Sequence, residues 1–117
     1  MKDHHKDSSV RLQHILKAIE HIEQFTTGVS EESFVKDTIL SSAVLFQFSV
    51  IGEAVTYTDP AILEKYDYPW YKVRAFRNMI AHEYFNIRLS SVWRIILQDL
   101  PGLKATVQAI MENSLHL

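Results

Sequence analysis

An apolar residue returns at every third or fourth position through nearly the whole chain, and that period points to helices rather than strands. Leu12, Ile15, Ile19, Ile22 and Phe25 mark the first stripe, with Lys17, Glu20 and Glu23 filling the gaps. Gly28 ends this helix, because glycine readily takes the left-handed conformation that a helix terminus needs. Ser30 is placed to cap the next helix, and Glu31 and Glu32 suit the positive end of its dipole. Phe34, Thr38, Ser41, Leu45, Phe48, Gly52 and Val55 then follow a second stripe. Ala43, Val44, Phe46 and Ile51 widen it until the helix is apolar nearly all round. Such a helix is central in a bundle or shared with a second subunit. Gly52 in its interior costs about 1 kcal/mol against alanine, a cost that close approach by another helix would explain.

Thr58-Asp59-Pro60 closes the long helix, and a short helix is expected over Ala61 to Lys65. Pro69 disfavours helix at the residue before it and suits a helix's first turn, so residues 66–70 read as a turn. A further helix is expected from Trp70 to about Glu83. The last begins near Ser90 and is broken or bent at Pro101 before Leu103, Val107 and Ile110 resume the period. No alternating window with hairpin chemistry competes. The expected fold is all-α, an antiparallel bundle of four or five helices in a single domain over residues 1–117, with 1–8 as a mobile arm. Phe48, Ile51 and Trp93 are expected in its core.

Composition narrows the chemistry. The 117 residues include no cysteine, which removes disulfides, thiolate zinc sites and thiol nucleophiles together. Three scattered glycines make no phosphate loop or dinucleotide fingerprint. A net charge of −2 argues against coating duplex nucleic acid by bulk charge, but leaves room for a small, locally basic RNA site. The longest uncharged run, between Asp37 and Glu53, is shorter than the roughly 20 residues needed to cross a bilayer. The polar N-terminus has no apolar signal core behind it, so a cytoplasmic protein with no membrane partner is expected.

The fourth helix stands apart. Arg74, Arg77, Asn78, His82 and Tyr84 crowd into about three turns. Arg74, Asn78 and His82 form one stripe at i, i+4, i+8, and Arg77 and Tyr84, seven apart, form another. Arg77 and His82 point about 140° apart on a regular helix. They share a site if the helix loosens near His82 or if a second subunit closes over it. Arginines on helices are most often solvated or paired with carboxylates, so spacing alone gives no finished active site. Other constellations are weaker. His82-Glu83 starts like a zinc-protease motif, but Asn86 stands where the second histidine belongs. His14 and His21, seven apart, read as surface residues before a metal site, and His4 and His5 lie in the arm.

Arg77-Asn78-Met79-Ile80-Ala81-His82-Glu83-Tyr84-Phe85 resembles the Arg-x4-His-x-Tyr signature of HepT-like toxins, within the HEPN superfamily of helical ribonucleases. The resemblance extends over most of the chain, through Arg11-Leu12-x-His14-Ile15-Leu16, Ile51-Gly52-Glu53-Ala54, Pro69-Trp70, Val92-Trp93 and Asp99-Leu100-Pro101. Two positions depart from it. Many relatives carry glycine where this chain has Ala75, and an acidic residue where it has Arg88; Ser90 or Ser91 is then the expected cap of the last long helix. Arg88, and Arg74 on the motif helix, are candidate RNA or partner contacts.

The resemblance implies a toxin endoribonuclease that works without metal or other cofactor. It assigns His82 as general acid or base around the RNA 2′-hydroxyl, work suited to an imidazole that ordinarily titrates near pH 6.5. It assigns Arg77 to the scissile phosphate, and Asn78 a supporting role. It further implies a homodimer, and a minimal nucleotidyltransferase antitoxin that transfers AMP onto Tyr84. Tyr84 would lie about 10 Å along the helix axis from Arg77. A non-enzymatic helical substrate-binding or scaffold partner of a nucleotidyltransferase is the alternative within the same superfamily.

Overall fold

The computed structural model describes residues 4–113, and they form helices α1 (His4–Thr26), α2 (Glu31–Lys36), α3 (Thr38–Thr56), α4 (Pro60–Leu63), α5 (Trp70–His82), α6 (Leu89–Gln98) and α7 (Leu100–Asn113). A single 3₁₀ turn, Tyr84–Asn86, joins α5 to α6. No strand occurs among the described residues. The bundle is all-α, as the apolar period requires.

The α1 stripe buries completely: Leu12, Ile15, Ile19 and Ile22 are all inaccessible. Phe25, the last member of that stripe, is exposed instead and stacks on His21. Gly28 takes a φ of +73°, the left-handed conformation expected of it. The arm expected over 1–8 is helical from His4 onward, while residues 1–3 lie outside the described residues. Buried Ser8 accounts for much of this order. Its hydroxyl accepts the Asp59 amide at 3.0 Å, which ties the start of α1 to the end of α3.

The second helix expected from the sequence is two helices. The Asp37 carboxylate accepts the Leu40 amide at 3.0 Å and caps α3, while Ser30 caps α2 by accepting from Ser33. An aspartate that can bond the backbone locally competes with continued helix, and here it turns the chain. The turn lets α2 carry buried Phe34 onto Trp93 of α6, with ring centroids 5.2 Å apart. Two further boundaries differ. The short helix begins at Pro60 under an Asp59 cap and ends at Leu63. Arg88 holds the cap position of α6 with no side-chain bond, so Ser90 and Ser91 lie inside the helix rather than capping it. Pro101 sits in the first turn of α7, where its missing amide is not needed, and the break falls at Asp99.

The order of contacts fixes the packing of the three long helices. Ser8 meets Asp59, Arg11 meets Tyr57 and His21 meets Gln47, so α1 and α3 run antiparallel. Arg77 meets Glu53 and Tyr84 meets Ser42, so the chain of α5 also runs antiparallel to α3. Helix α3 is thus central, although Ile39 and Phe46 on its outer side are exposed. By length and composition α3 could cross a membrane. Its place between α1 and α5 is that of a core helix. Phe48, Ile51 and Trp93 are buried as expected.

Candidate active site

The site begins with a glycine. A Cβ added at Gly52 would collide with the Arg77 Cβ and lie 2.7 Å from its Cγ and 3.3 Å from the Val73 carbonyl. Any larger residue would push α5 off α3, so Gly52 is what admits the Arg77 stem between the two helices. This is the close approach its cost called for. The next residue, Glu53, then meets the guanidinium: Nη2 donates to Glu53 Oε1 at 2.8 Å. Nη1 donates to Asn78 Oδ1 at 3.3 Å. Arg77 is half-buried and held from two sides.

A cleft of about 380 Å³ opens beside this pair. Arg77 and Ala81 line it from α5 and Glu53 from α3, and Arg11 and His14 enter it from α1. Sequence reasoning did not join the last two to the site. Their spacing, i and i+3, places them on one face of α1, but only the packing of α1 against α3 brings that face to Arg77. Glu53 stood in the sequence only within the Ile51-Gly52-Glu53-Ala54 segment of the resemblance, with no role attached. His21, paired above with His14, faces another neighbourhood, with Nδ1 3.3 Å from Gln47 Oε1. Among the described residues no three His, Cys, Asp or Glu gather into a set that could hold a metal ion.

His82 does not line the cleft. Helix α5 stays regular up to it, so the loosening that would have turned His82 toward Arg77 is not there. It stands exposed as the last helical residue, and no hydrogen bond or ion pair engages its imidazole among the described residues. Tyr84 also departs from expectation. The helix stops at Glu83, whose φ of −135° and ψ of 38° redirect the chain into the 3₁₀ turn. Tyr84 therefore shares no helical stripe with Arg77. Its hydroxyl donates to Ser42 Oγ at 3.1 Å on α3, and the residue remains 39% exposed. Phe85 beside it is 98% exposed. Arg74 is half-buried and Arg88 exposed, and neither has an ion pair among the described residues.

A second cleft, of about 360 Å³, lies across the bundle between α5 and the α6–α7 break. It is lined mainly by apolar side chains, with Tyr68 at its edge. Burial, and then the nearby Asp99 carboxylate, push the Tyr68 phenol above its ordinary pKa. It carries none of the motif residues.

The family described as ribonuclease HepT-like matches residues 15–110, a span that holds Arg77, Asn78, His82 and Tyr84. The chain belongs to the HepT-like ribonuclease family. A Caldanaerobacter subterraneus protein named "Putative RNase" is 34% identical over 87% of this chain and 92% of its own length. A Thermococcus cleftensis protein named "Probable ribonuclease HepT" is 31% identical over 94% of this chain and 98% of its own. A Methanocaldococcus jannaschii protein, "Gamma-glutamylcyclotransferase and putative RNase", is 34% identical over 92% of this chain. The chain spans only 49% of that longer relative. No solved structure matches. Family and relatives together support a ribonuclease.

Proposed function

We propose that this HepT-like chain is the toxin of a type II toxin–antitoxin pair, a metal-independent endoribonuclease of the cytoplasm. The observation that carries the reading is the Arg77 guanidinium, held at a cleft mouth by Glu53 and Asn78. Its planar fork keeps its charge and has N–H groups beyond those two bonds, so it is preset for a phosphate. The RNA 2′-oxygen attacks the adjacent phosphorus, the bond to the 5′-oxygen breaks, and a 2′,3′-cyclic phosphate forms. An imidazole takes the 2′-proton or supplies one to the leaving oxygen, and that is the role of His82. Arg77 stabilises the charge that builds on the phosphoryl oxygens.

Within one chain Arg77 and His82 diverge by about 140°. A homodimer resolves this by setting the His82 of a second copy against the Arg77 cleft. Exposed Phe85, next to the motif, supports an apolar contact there. Control runs through Tyr84. A nucleotidyltransferase antitoxin transfers AMP from ATP: the phenol oxygen attacks the α-phosphorus, pyrophosphate leaves, and the phenolic proton passes to solvent. The adduct adds a negative phosphodiester and a bulky base beside the motif, which competes with RNA for the same arginine. The separation of His82 from Arg77 within one chain favours a second reading, a catalytically silent RNA-binding or scaffold partner of the nucleotidyltransferase.

The test is cleavage of a single-stranded RNA by the purified, unmodified protein with a chelator present. Expected products end in a 2′,3′-cyclic phosphate, and a 2′-deoxy substitution at the scissile position abolishes cleavage. Failure of the unmodified protein to cleave any RNA in a mixed pool selects the silent partner.

A further inference from the structure

The Arg77 cleft does not end at Arg11 and His14. The same two residues line a neighbouring hollow of about 710 Å³, which continues between the start of α1 and the end of α3 to Asp59. At this junction Tyr57 stands at the C-cap of α3, 59% exposed. The Arg11 guanidinium lies over its ring, 5.1 Å from the centroid. Among the described residues no carboxylate pairs with Arg11. The junction thus holds an arginine with no carboxylate at ion-pair distance among the described residues, an imidazole and an oriented aromatic ring, and it shares Arg11 and His14 with the Arg77 cleft.

We infer that Arg11, His14 and Tyr57 form a single-nucleotide subsite for the RNA strand, next to the scissile phosphate held at Arg77. The inference rests on the ribonuclease reading above. Arg11 and His14 take the phosphate that neighbours the scissile one, and the base stacks against Tyr57. Stacking suits this place because every base has a π-face, and a ring fixed by a guanidinium loses little freedom when a base joins it. The hollow has the size of a small-ligand site. Asp7, one turn before Arg11 on α1, and Asp59 at the end of the hollow also line it. Their charge turns away a further phosphate, so the subsite takes one nucleotide rather than a long track. With a net charge of −2, RNA affinity cannot come from bulk attraction and would rest on local contacts of this kind.

The experiment measures fluorescence anisotropy of a labelled single-stranded RNA hexamer with 2′-O-methyl sugars, which cannot be cleaved. Tyr57→Ala weakens binding about 5- to 100-fold, the worth of one base stacked on an aromatic ring, and Tyr57→Phe restores it. Arg11→Ala weakens binding and lowers the salt dependence by about one phosphate contact. Exposed Tyr57 adds little to the core, and circular dichroism confirms that each variant is folded. Unchanged affinity in both Tyr57→Ala and Arg11→Ala overturns the subsite, as does AMP binding as tightly as the hexamer. A wild-type protein that binds the hexamer through Tyr57 but cleaves no RNA keeps the subsite and removes the ribonuclease reading. One that cleaves RNA with no dependence on Tyr57 or Arg11 does the reverse.

Discussion

Arg77 and His82 stand five residues apart on one helix and have opposite surroundings. Arg77 is threaded over Gly52, paired with Glu53 and set at the mouth of a cleft. His82 is exposed at the helix end, with no partner among the described residues. The bundle itself fixes the cation. It leaves His82 on an open surface beside Tyr84 and Phe85, the region where the proposed second copy or regulator would act. Under the proposed mechanism a single chain prepares one half of a site, and a second copy would supply the other.

The largest effect should come from removing either half. Arg77→Ala and His82→Ala are each expected to lower RNA cleavage on the order of 100- to 10,000-fold, as measured by single-turnover kinetics. Mixing the two inactive variants sharpens the contrast. If each site takes Arg77 from one copy and His82 from the other, mixed dimers recover one intact site, and activity returns to roughly a quarter of wild type. No recovery after subunit exchange would mean that both residues serve from one chain.

Gly52→Ala comes next, because it breaks the fixed half without touching a charge. The added methyl meets the Arg77 stem, so a loss of about 1–3 kcal/mol is expected in urea unfolding. Cleavage should fall with it. His82→Ala, by contrast, should change stability by less than about 0.5 kcal/mol, as exposed sites do. Equal losses in the two variants would erase the comparison.

Glu53→Ala tests whether pairing positions the guanidinium. A misplaced phosphate holder is expected to lower kcat about 10- to 100-fold, with a smaller change in KM. Glu53→Gln keeps an acceptor oxygen and should recover much of the loss. If Glu53→Ala cleaves faster than wild type, the carboxylate is a competitor for the guanidinium and not its guide.

The smallest effect on cleavage is expected for Tyr84→Phe. It loses a single part-exposed hydrogen bond to Ser42, worth no more than about 1 kcal/mol. Nuclease activity should largely persist, while treatment with the nucleotidyltransferase and ATP should no longer suppress it. Mass spectrometry of the Tyr84 peptide before and after treatment checks the acceptor. Full suppression of the Phe variant would move control to another residue or to complex formation.

Much of the fold was legible because burial imposes a period on the chain. Leu12, Ile15, Ile19 and Ile22 announce a buried face without reference to anything distant, and the structure buries all four. The misreadings fall where a single polar bond or a change of backbone direction decides. Asp37 splits one expected helix in two by capping Leu40, Ser8 orders the expected arm by accepting from Asp59, and Glu83 takes Tyr84 off the α5 stripe. The cost of Gly52 predicted a neighbour but could not name it. Arg11 and His14 gave no signal tying them to Arg77, since more than sixty residues separate them.

The sequence by itself determined the helical class, the core stripes and the likeness to HepT-like ribonucleases, because each is carried by stretches of residues within a few turns of one another. Only the tertiary structure decided that Arg77 lies over Gly52 against Glu53, that Arg11, His14 and Tyr57 extend its cleft, and that His82 stays outside it. Those relations depend on the register at which α1, α3 and α5 pack. Register is set by the fit of whole buried faces, a property that no single stretch of the chain contains.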